Sequence, residues 1–330
     1  MPYEVALQCI DLAFENTKIH RDKTLWVDFI GGEPLLDFEY IKKIVDYIYT
    51  KNKNNHYTLI FSITTNGTIM DDEKIDWLTD NNFLLKISID GKKEIHDLNR
   101  ISKNGISTFD QICANWHYFK KYEEISGKRI QVTNVITKNN YSSYYDTFKF
   151  LVEEMKIRVI DTAIDLYTEW TKEDLHVLEI QMNKTVDYYL DTLRKKLGIY
   201  WSFVKEVSEC NEEKKKFYCC GAGIISLYVR TTGQFYTCPT CLDEKGCIGD
   251  IYNGFDWEKI HMLKNFNDIN NANCQKCDLY KKCKANSCLM FSLFSNNDVN
   301  IPNKTLCWLE IYKHKLFDRK KQVLERIQWN

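Results

Sequence analysis

The chain has 330 residues, 44% apolar and 14% aromatic, which is enough to bury a large core and to build one big domain with a smaller one. Its 45 basic and 46 acidic residues leave a formal charge of -1, so there is no basic footprint for nucleic acid and no acidic tail. No apolar run approaches the roughly 18 residues of a membrane span. The opening MPYEVALQCIDLAF also lacks the basic, apolar and small-residue regions of a signal peptide, so a cytoplasmic protein with reduced thiols is expected.

Short β-rich runs alternate with helical patterns through the first two-thirds of the sequence. Leu25–Ile30, Leu59–Thr64, Phe83–Ile89, Ile130–Ile136 and Val159–Ala163 read as parallel strands covered on both faces. Between them the apolar positions take the helical period: Ile41, Ile44, Val45 and Ile48, then Phe109, Ile112, Trp116 and Phe119, then Phe148, Leu151, Val152 and Met155. Cys9 and Cys113 fall on such faces and are expected to be small buried hydrophobes.

Repeated βα units imply a barrel or a doubly wound sheet. No G-x-G-x-x-G follows the first strand and no G-x-x-x-x-G-K-[ST] occurs, which removes the main support for dinucleotide and P-loop readings. The first strand instead runs into Gly31-Gly32-Glu33-Pro34, at the strand end where barrels place ligands. The two glycines let backbone approach a ligand closely, and Pro34 stiffens the exit.

The cysteines concentrate towards the carboxyl end. From Cys220, twelve residues lead to Gly233 and four more to Cys238; Cys274-x2-Cys277-x5-Cys283-x4-Cys288 follows, with a last cysteine at Cys307. Such spacing presents pairs of thiolates from tight turns and suits iron–sulfur clusters or zinc. The seven histidines show no H-E-x-x-H or paired spacing; His96 is expected at the surface, and Arg100 either exposed or forked onto a carboxylate. Glu212–Lys216 reads as a solvated linker.

Together, Gly31-Gly32-Glu33-Pro34, Thr65-Asn66-Gly67, Ser88-Ile89-Asp90-Gly91 and the terminal cysteines resemble radical S-adenosylmethionine (SAM) enzymes that carry a C-terminal SPASM domain; the similarity runs from residue 3 to about residue 310. The resemblance implies an α/β fold: a partial (β/α)6 TIM-like barrel over residues 1–200, a SPASM domain over 217–310 and a C-terminal helix over 311–330. It implies SAM contacts at Gly31, Gly32 and Glu33, with Ser88 in addition. It also implies two auxiliary [4Fe–4S] clusters. The outer one would use Cys274, Cys277, Cys283 and Cys307; the inner one would use Cys220, Cys238 and Cys288, with Cys241 as first choice for a fourth ligand, Cys219 as second and an open iron site as third. The x4 spacing before Cys288 is one residue longer than the family's x3. Cys247 and Cys210 are left as structural or free thiols.

One departure stands against these matches. Family members carry C-x3-C-x2-C on the loop after the first barrel strand, where three thiolates hold the SAM-cleaving cluster, and the only cysteine before residue 113 is Cys9. The sequence therefore reads as beginning inside the family's pattern, with the first strand missing and Leu25–Ile30 left as an edge. The full-length form is expected to modify a ribosomal peptide or protein through a 5′-deoxyadenosyl radical, with a peptide substrate and an external electron donor as partners. The alternatives are a non-catalytic iron–sulfur module that binds peptide or relays electrons, and a zinc-stabilised binding protein.

Overall fold

Burial alternates with period two along Leu84–Ser88 and Gln131–Ile136 and at the start of Thr24–Phe29, so these segments turn one face to a packed core and the other to a less covered side. The computed structural model describes residues 1–102, 105–218 and 220–327. By packing, the chain divides into a barrel unit, Phe14–Val204, and a cysteine-rich unit made of Met1–Ala13 with Lys205–Asn330. The packing junction falls near residue 204, and Met1–Ala13 falls with the cysteine-rich unit. The reason is local: Cys9 and Leu12 pack on a small core of Phe235, Ile248 and Ile260.

Helix α1 (Tyr3–Thr17) leads to β1 (Thr24–Phe29), α2 (Phe38–Asn52), β2 (Thr58–Thr65), α3 (Asp72–Asp80), β3 (Leu84–Ser88), α4 (Lys93–Asn99), α5 (Thr108–Ala114), α6 (Trp116–Ser126), β4 (Gln131–Ile136), α7 (Tyr144–Glu153), β5 (Val159–Ile164), α8 (Lys172–Arg194) and β6 (Tyr200–Trp201). The strands form one parallel sheet of six in sequence order, the open-barrel arrangement expected from repeated βα units. Each of the five runs read from the sequence is a strand. The two-residue β6 is additional and too short to show a periodicity.

One face of this sheet is a close-packed core. Phe61, Ile63, Leu85, Ile87, Val132, Ile136 and Ile160 are buried there. Rings from the helices close over them: Tyr49 of α2 meets Phe61 at 5.6 Å, and Trp77 of α3 meets Phe83 at 5.3 Å. The expectation that both faces are covered is corrected by the opposite face of the same unit, where Trp26 and Asp28 are exposed and Lys86, Ser88 and Thr133 are half-buried.

Two helical expectations also change. The apolar run from Phe109 to Phe119 is broken into α5 and α6 at Asn115, whose side chain leaves the helix axis to donate to the Gly67 carbonyl at 3.0 Å. Cys113, on the outer side of α5, is exposed rather than buried.

The cysteine-rich unit continues with α9 (Ser202–Glu209), β7 (Tyr228–Val229), β8 (Gln234–Tyr236), β9 (Cys247–Asp250), β10 (Gly254–Phe255), α10 (Trp257–Asn265), α11 (Ala272–Gln275), α12 (Leu289–Asn296) and α13 (Lys304–Leu324). Its four short strands pair antiparallel in the order β10-β9-β8-β7. Gly233 makes the β7–β8 turn at φ +86, with its N–H donating to Arg230 O at 2.9 Å. The last helix starts earlier than the expected residue 311, because Asn303 caps it by accepting the Leu306 N–H at 3.0 Å. Cys307 therefore lies on the first turn of α13. Within the presumed linker, Lys214 is docked rather than solvated: its ammonium donates to Asn286 Oδ1 at 2.6 Å and lies over the Phe217 ring.

Candidate functional site

At the carboxyl ends of the barrel strands, the Gly31–Pro34 loop is tied to the next strand end by a single carboxylate. Glu33 Oε1 accepts from Thr65 Oγ1 at 2.8 Å and from the Leu35 N–H at 3.1 Å; Oε2 accepts from the Asn66 N–H at 2.7 Å. The Glu33 side chain is thus committed to holding two loops in register. A Cβ built at Gly32 meets nothing within 4 Å, so the space beside this backbone is open to a ligand.

The next strand end is organised by Asp90, which is 2% exposed. Its Oδ1 accepts from the Val135 N–H at 2.9 Å and from Arg100 Nη2 at 3.1 Å, and Oδ2 lies 3.0 Å from Arg100 Nε. Arg100 thus forks onto a carboxylate of its own chain. His96, expected at the surface, is fully buried; its Nδ1 accepts the Asp90 N–H at 3.3 Å, and its ring lies on Phe109. Burial pushes the imidazole down to about 4, so it is neutral at physiological pH. Beside this network a cavity of about 460 Å³ opens at the ends of β3, β4 and β5, lined by Asp90, Asn99, Arg100, Thr137, Lys138 and Asp165.

The uncovered face of the sheet carries a polar row that the sequence reading missed. Trp26 Nε1 donates to Ser62 Oγ at 2.8 Å, and Ser62 in turn donates to Asp28. Lys86 Nζ lies 3.5 Å from Asp28 Oδ2, and Gln131 Nε2 donates to Asp161 Oδ2 at 3.3 Å. Ser88 is the last residue of β3 on this same face, paired with Thr133. The signal was present as polar residues at alternate positions inside the apolar runs, Asp28, Ser62, Lys86, Gln131 and Asp161 among them, masked because the runs read as doubly buried.

Six of the predicted thiols lie in two neighbourhoods, one around Tyr218 and one around Cys274. Cys220, Cys238 and Cys288 all bear on the phenol of Tyr218, whose ionisation is pushed up first by burial and then by these thiols. Cys274, Cys277 and Cys307 form the other set: burial raises Cys274 and Cys307, and the neighbouring thiols raise them further. Cys283 is pushed up to about 11, chiefly by burial. Cys241 is fully buried beside Cys238, and its thiol points to Asp243 Oδ1 at 3.2 Å. Cys219 lies outside the described residues. Cys247 turns to Gly249 O, while Cys210 is buried and pushed up to about 11.

Among the described residues, no three His, Cys, Asp or Glu side chains close around a point as one metal ion demands. A zinc site draws its thiolates to about 2.3 Å from one centre, whereas a four-iron cluster takes one thiolate at each iron.

Comparison with known proteins places these features in context. A family model described as a 4Fe-4S single cluster domain matches residues 6–112. An uncharacterised protein of Methanocaldococcus jannaschii is 30% identical over 80% of this chain and 82% of its own length. A cysteine-type anaerobic sulfatase-maturating enzyme of Clostridium perfringens is 25% identical over 78% of this chain and 72% of its own. A radical SAM cyclopropyl synthase of Paramaledivibacter caminithermalis is 23% identical over 98% of this chain and 66% of its own. In fold, the chain is similar to native anSMEcpe with bound AdoMet, with a TM-score of 0.78 and 22% identity over 99% of this chain and 90% of that one. The same protein with AdoMet and a bound peptide gives a TM-score of 0.76 and 21% identity over 98% and 91% of the two chains.

Proposed function

This chain belongs to the radical SAM family, in its peptide-maturing branch, and from that premise we propose that it modifies a residue of a peptide or protein held against the open face of its barrel sheet. The observation that carries the reading is that face itself. A parallel sheet normally hides both faces, and here one shows exposed Trp26 and Asp28 and half-buried Lys86, with the buried Ser62 linking Trp26 to Asp28, beside the glycine loop at the strand ends. That is a surface for a polar substrate. Relatives named for sulfatase maturation and cyclopropyl synthesis support a peptide residue as the target.

Bound SAM would supply a 5′-deoxyadenosyl radical, and auxiliary clusters would supply one-electron relays to an external donor or acceptor. The chain's own residues position these groups. Gly31 and Gly32 leave room for SAM, Glu33 fixes their loop to Thr65 and Asn66, and Ser88 faces the substrate side of β3. Asp90 holds Arg100 at the cavity wall. Cys274, Cys277, Cys283 and Cys307 would hold the outer cluster; Cys220, Cys238 and Cys288, with Cys241, would hold the inner one. The 330 residues contain no C-x3-C-x2-C loop, so none of these residues is assigned to the SAM-cleaving cluster.

The test is anaerobic reconstitution followed by iron, sulfide and zinc analysis, then incubation with SAM, reductant and peptides containing cysteine or serine. Two clusters' worth of iron are expected. 5′-Deoxyadenosine and a modified peptide are expected once a C-x3-C-x2-C loop is joined upstream of Met1, with peptide binding alone in its absence. Stoichiometric zinc without iron would overturn the reading in favour of a zinc-stabilised protein, and loop-restored protein that never touches peptide would leave an electron-relay module.

A further inference from the structure

The cysteine-rich unit buries an ion pair directly behind one of its two thiol groups. Glu310 is 3% exposed and Lys313 is also 3% exposed; among the described residues they are the one Glu and the one Lys that are buried. Both lie on α13, paired with each other, and Lys313 also reaches Glu206 Oε2 of α9 at 3.1 Å. The trio carries a net charge of -1, since two carboxylates face one ammonium.

Glu310 is placed against two cysteines by independent constraints. It lies three residues after Cys307 on α13, hence on the same side of the helix. Its Oε2 accepts the N–H of Lys284, the residue that follows Cys283, at 2.8 Å. The carboxylate therefore joins the turn carrying Cys283 to the helix carrying Cys307. The carboxylate thus stands beside both sulfur-bearing segments.

Burying a charge is costly, and an apolar pair of the same volume would hold α9 and α13 together at least as well. Packing alone does not explain a carboxylate at this place. A fixed negative charge in a low-dielectric region opposes the arrival of an electron nearby. Resting on the reading that Cys274, Cys277, Cys283 and Cys307 share an iron–sulfur cluster, we propose that Glu310 is a positioning residue that lowers the reduction potential of that outer cluster. The consequence is a difference in poise between the two clusters, because among the described residues the carboxylate nearest the inner group, Asp243 beside Cys241, is exposed to solvent, which screens its charge, whereas Glu310 is buried.

The experiment is potentiometric titration, followed by electron paramagnetic resonance, of the reconstituted full chain and its Glu310→Gln variant. Glutamine keeps an oxygen for the Lys284 N–H and removes the charge. Full iron is expected, with one cluster's reduction equilibrium moving about tenfold towards the reduced form, which is about 59 mV for one electron, while the other cluster stays in place. Should the single variant fold poorly beside an unpaired Lys313, the Glu310→Gln/Lys313→Met double variant removes the buried pair and is expected to shift the same cluster in the same direction. Unchanged potentials with full iron in either variant overturn the proposal and leave Glu310 a structural residue. A shift of both clusters equally also overturns it. A wild-type chain that takes up no iron overturns the cluster reading and the proposal together.

Discussion

Glu33 and Thr65 join the first two strand ends of the barrel: Thr65 Oγ1 donates to Glu33 Oε1 at 2.8 Å, and the neighbouring Asn66 N–H donates to Oε2 at 2.7 Å. Two motifs that lie thirty residues apart in sequence are therefore one structural object. Hydrogen bonds to a charged group contribute roughly 1.5–3 kcal/mol each, and backbone donors left without a partner cost more. Replacing Glu33 by Ala is expected to destabilise the barrel unit by about 2–4 kcal/mol. Replacing it by Gln should cost about half as much, since one oxygen remains. Urea denaturation of the two variants checks this; an Ala variant as stable as the parent would show that the loop is held by other contacts.

Gly32 predicts the opposite signature. Its Cβ position is empty to 4 Å, so Gly32→Val should leave the denaturation midpoint unchanged while closing the space beside the loop. Calorimetry with SAM, in protein carrying a C-x3-C-x2-C loop, is expected to show at least a tenfold (about 1.4 kcal/mol) loss of affinity, with iron content of the cysteine-rich unit unaffected. Undiminished binding would place SAM elsewhere.

Asn134 is fully buried on the helix-covered face between Val132 and Ile136, and neither end of its amide has a hydrogen-bond partner. An orphaned buried amide costs about 1–3 kcal/mol. Asn134→Val should therefore raise stability by about 1–2 kcal/mol, read as a higher urea midpoint with unchanged slope. A loss of stability would reveal an ordered water or a bound group that satisfies the amide.

His96 gives the barrel an acid-sensitive element. Burial lowers its folded pKa to about 4 from an ordinary 6.5, so the unfolded chain binds the extra proton first as pH falls. Its contribution is fully present above pH 6.5 and is lost progressively down to about pH 4. Between pH 7 and pH 4 the loss should be about 3 kcal/mol. A His96→Gln variant is expected to start less stable at pH 7 but to lose less on acidification; parallel pH profiles would show that His96 does not carry the effect.

Cys274 and Cys277 test the ligand sets. Replacing either by Ala should remove about half of the bound iron, if each group of four thiolates holds one cluster. It should also lower the stability of the cysteine-rich unit, because binding free energy is folding free energy. Since Cys274, Cys283 and Cys307 are held protonated in the metal-free chain, iron uptake should release protons and proceed better at pH 8.5 than at pH 6.5. Full iron in a Cys274→Ala variant would show that the assignment is wrong.

The sequence by itself determined the order of the barrel. Leu25–Ile30, Leu59–Thr64, Phe83–Ile89, Ile130–Ile136 and Val159–Ala163 are all strands, because a parallel strand needs a short β-branched run and each run is bounded by a turn. Local spacing likewise announced the glycine loop and the thiol-rich turns, since those motifs act through neighbouring backbone. What only the tertiary structure decided depends on partners far apart in the chain. That His96 is buried rather than exposed follows from the Asp90 backbone and Phe109; that Cys113 is exposed follows from the break at Asn115, set by a carbonyl at Gly67. The polar face of the sheet needed the register that sets Asp28 beside Ser62, and the Glu310 charge needed the fold that lays α13 against the Cys283 turn. A hydrophobic period is carried by each segment alone, whereas a buried polar group is fixed by where its partner ends up, and that is a property of packing.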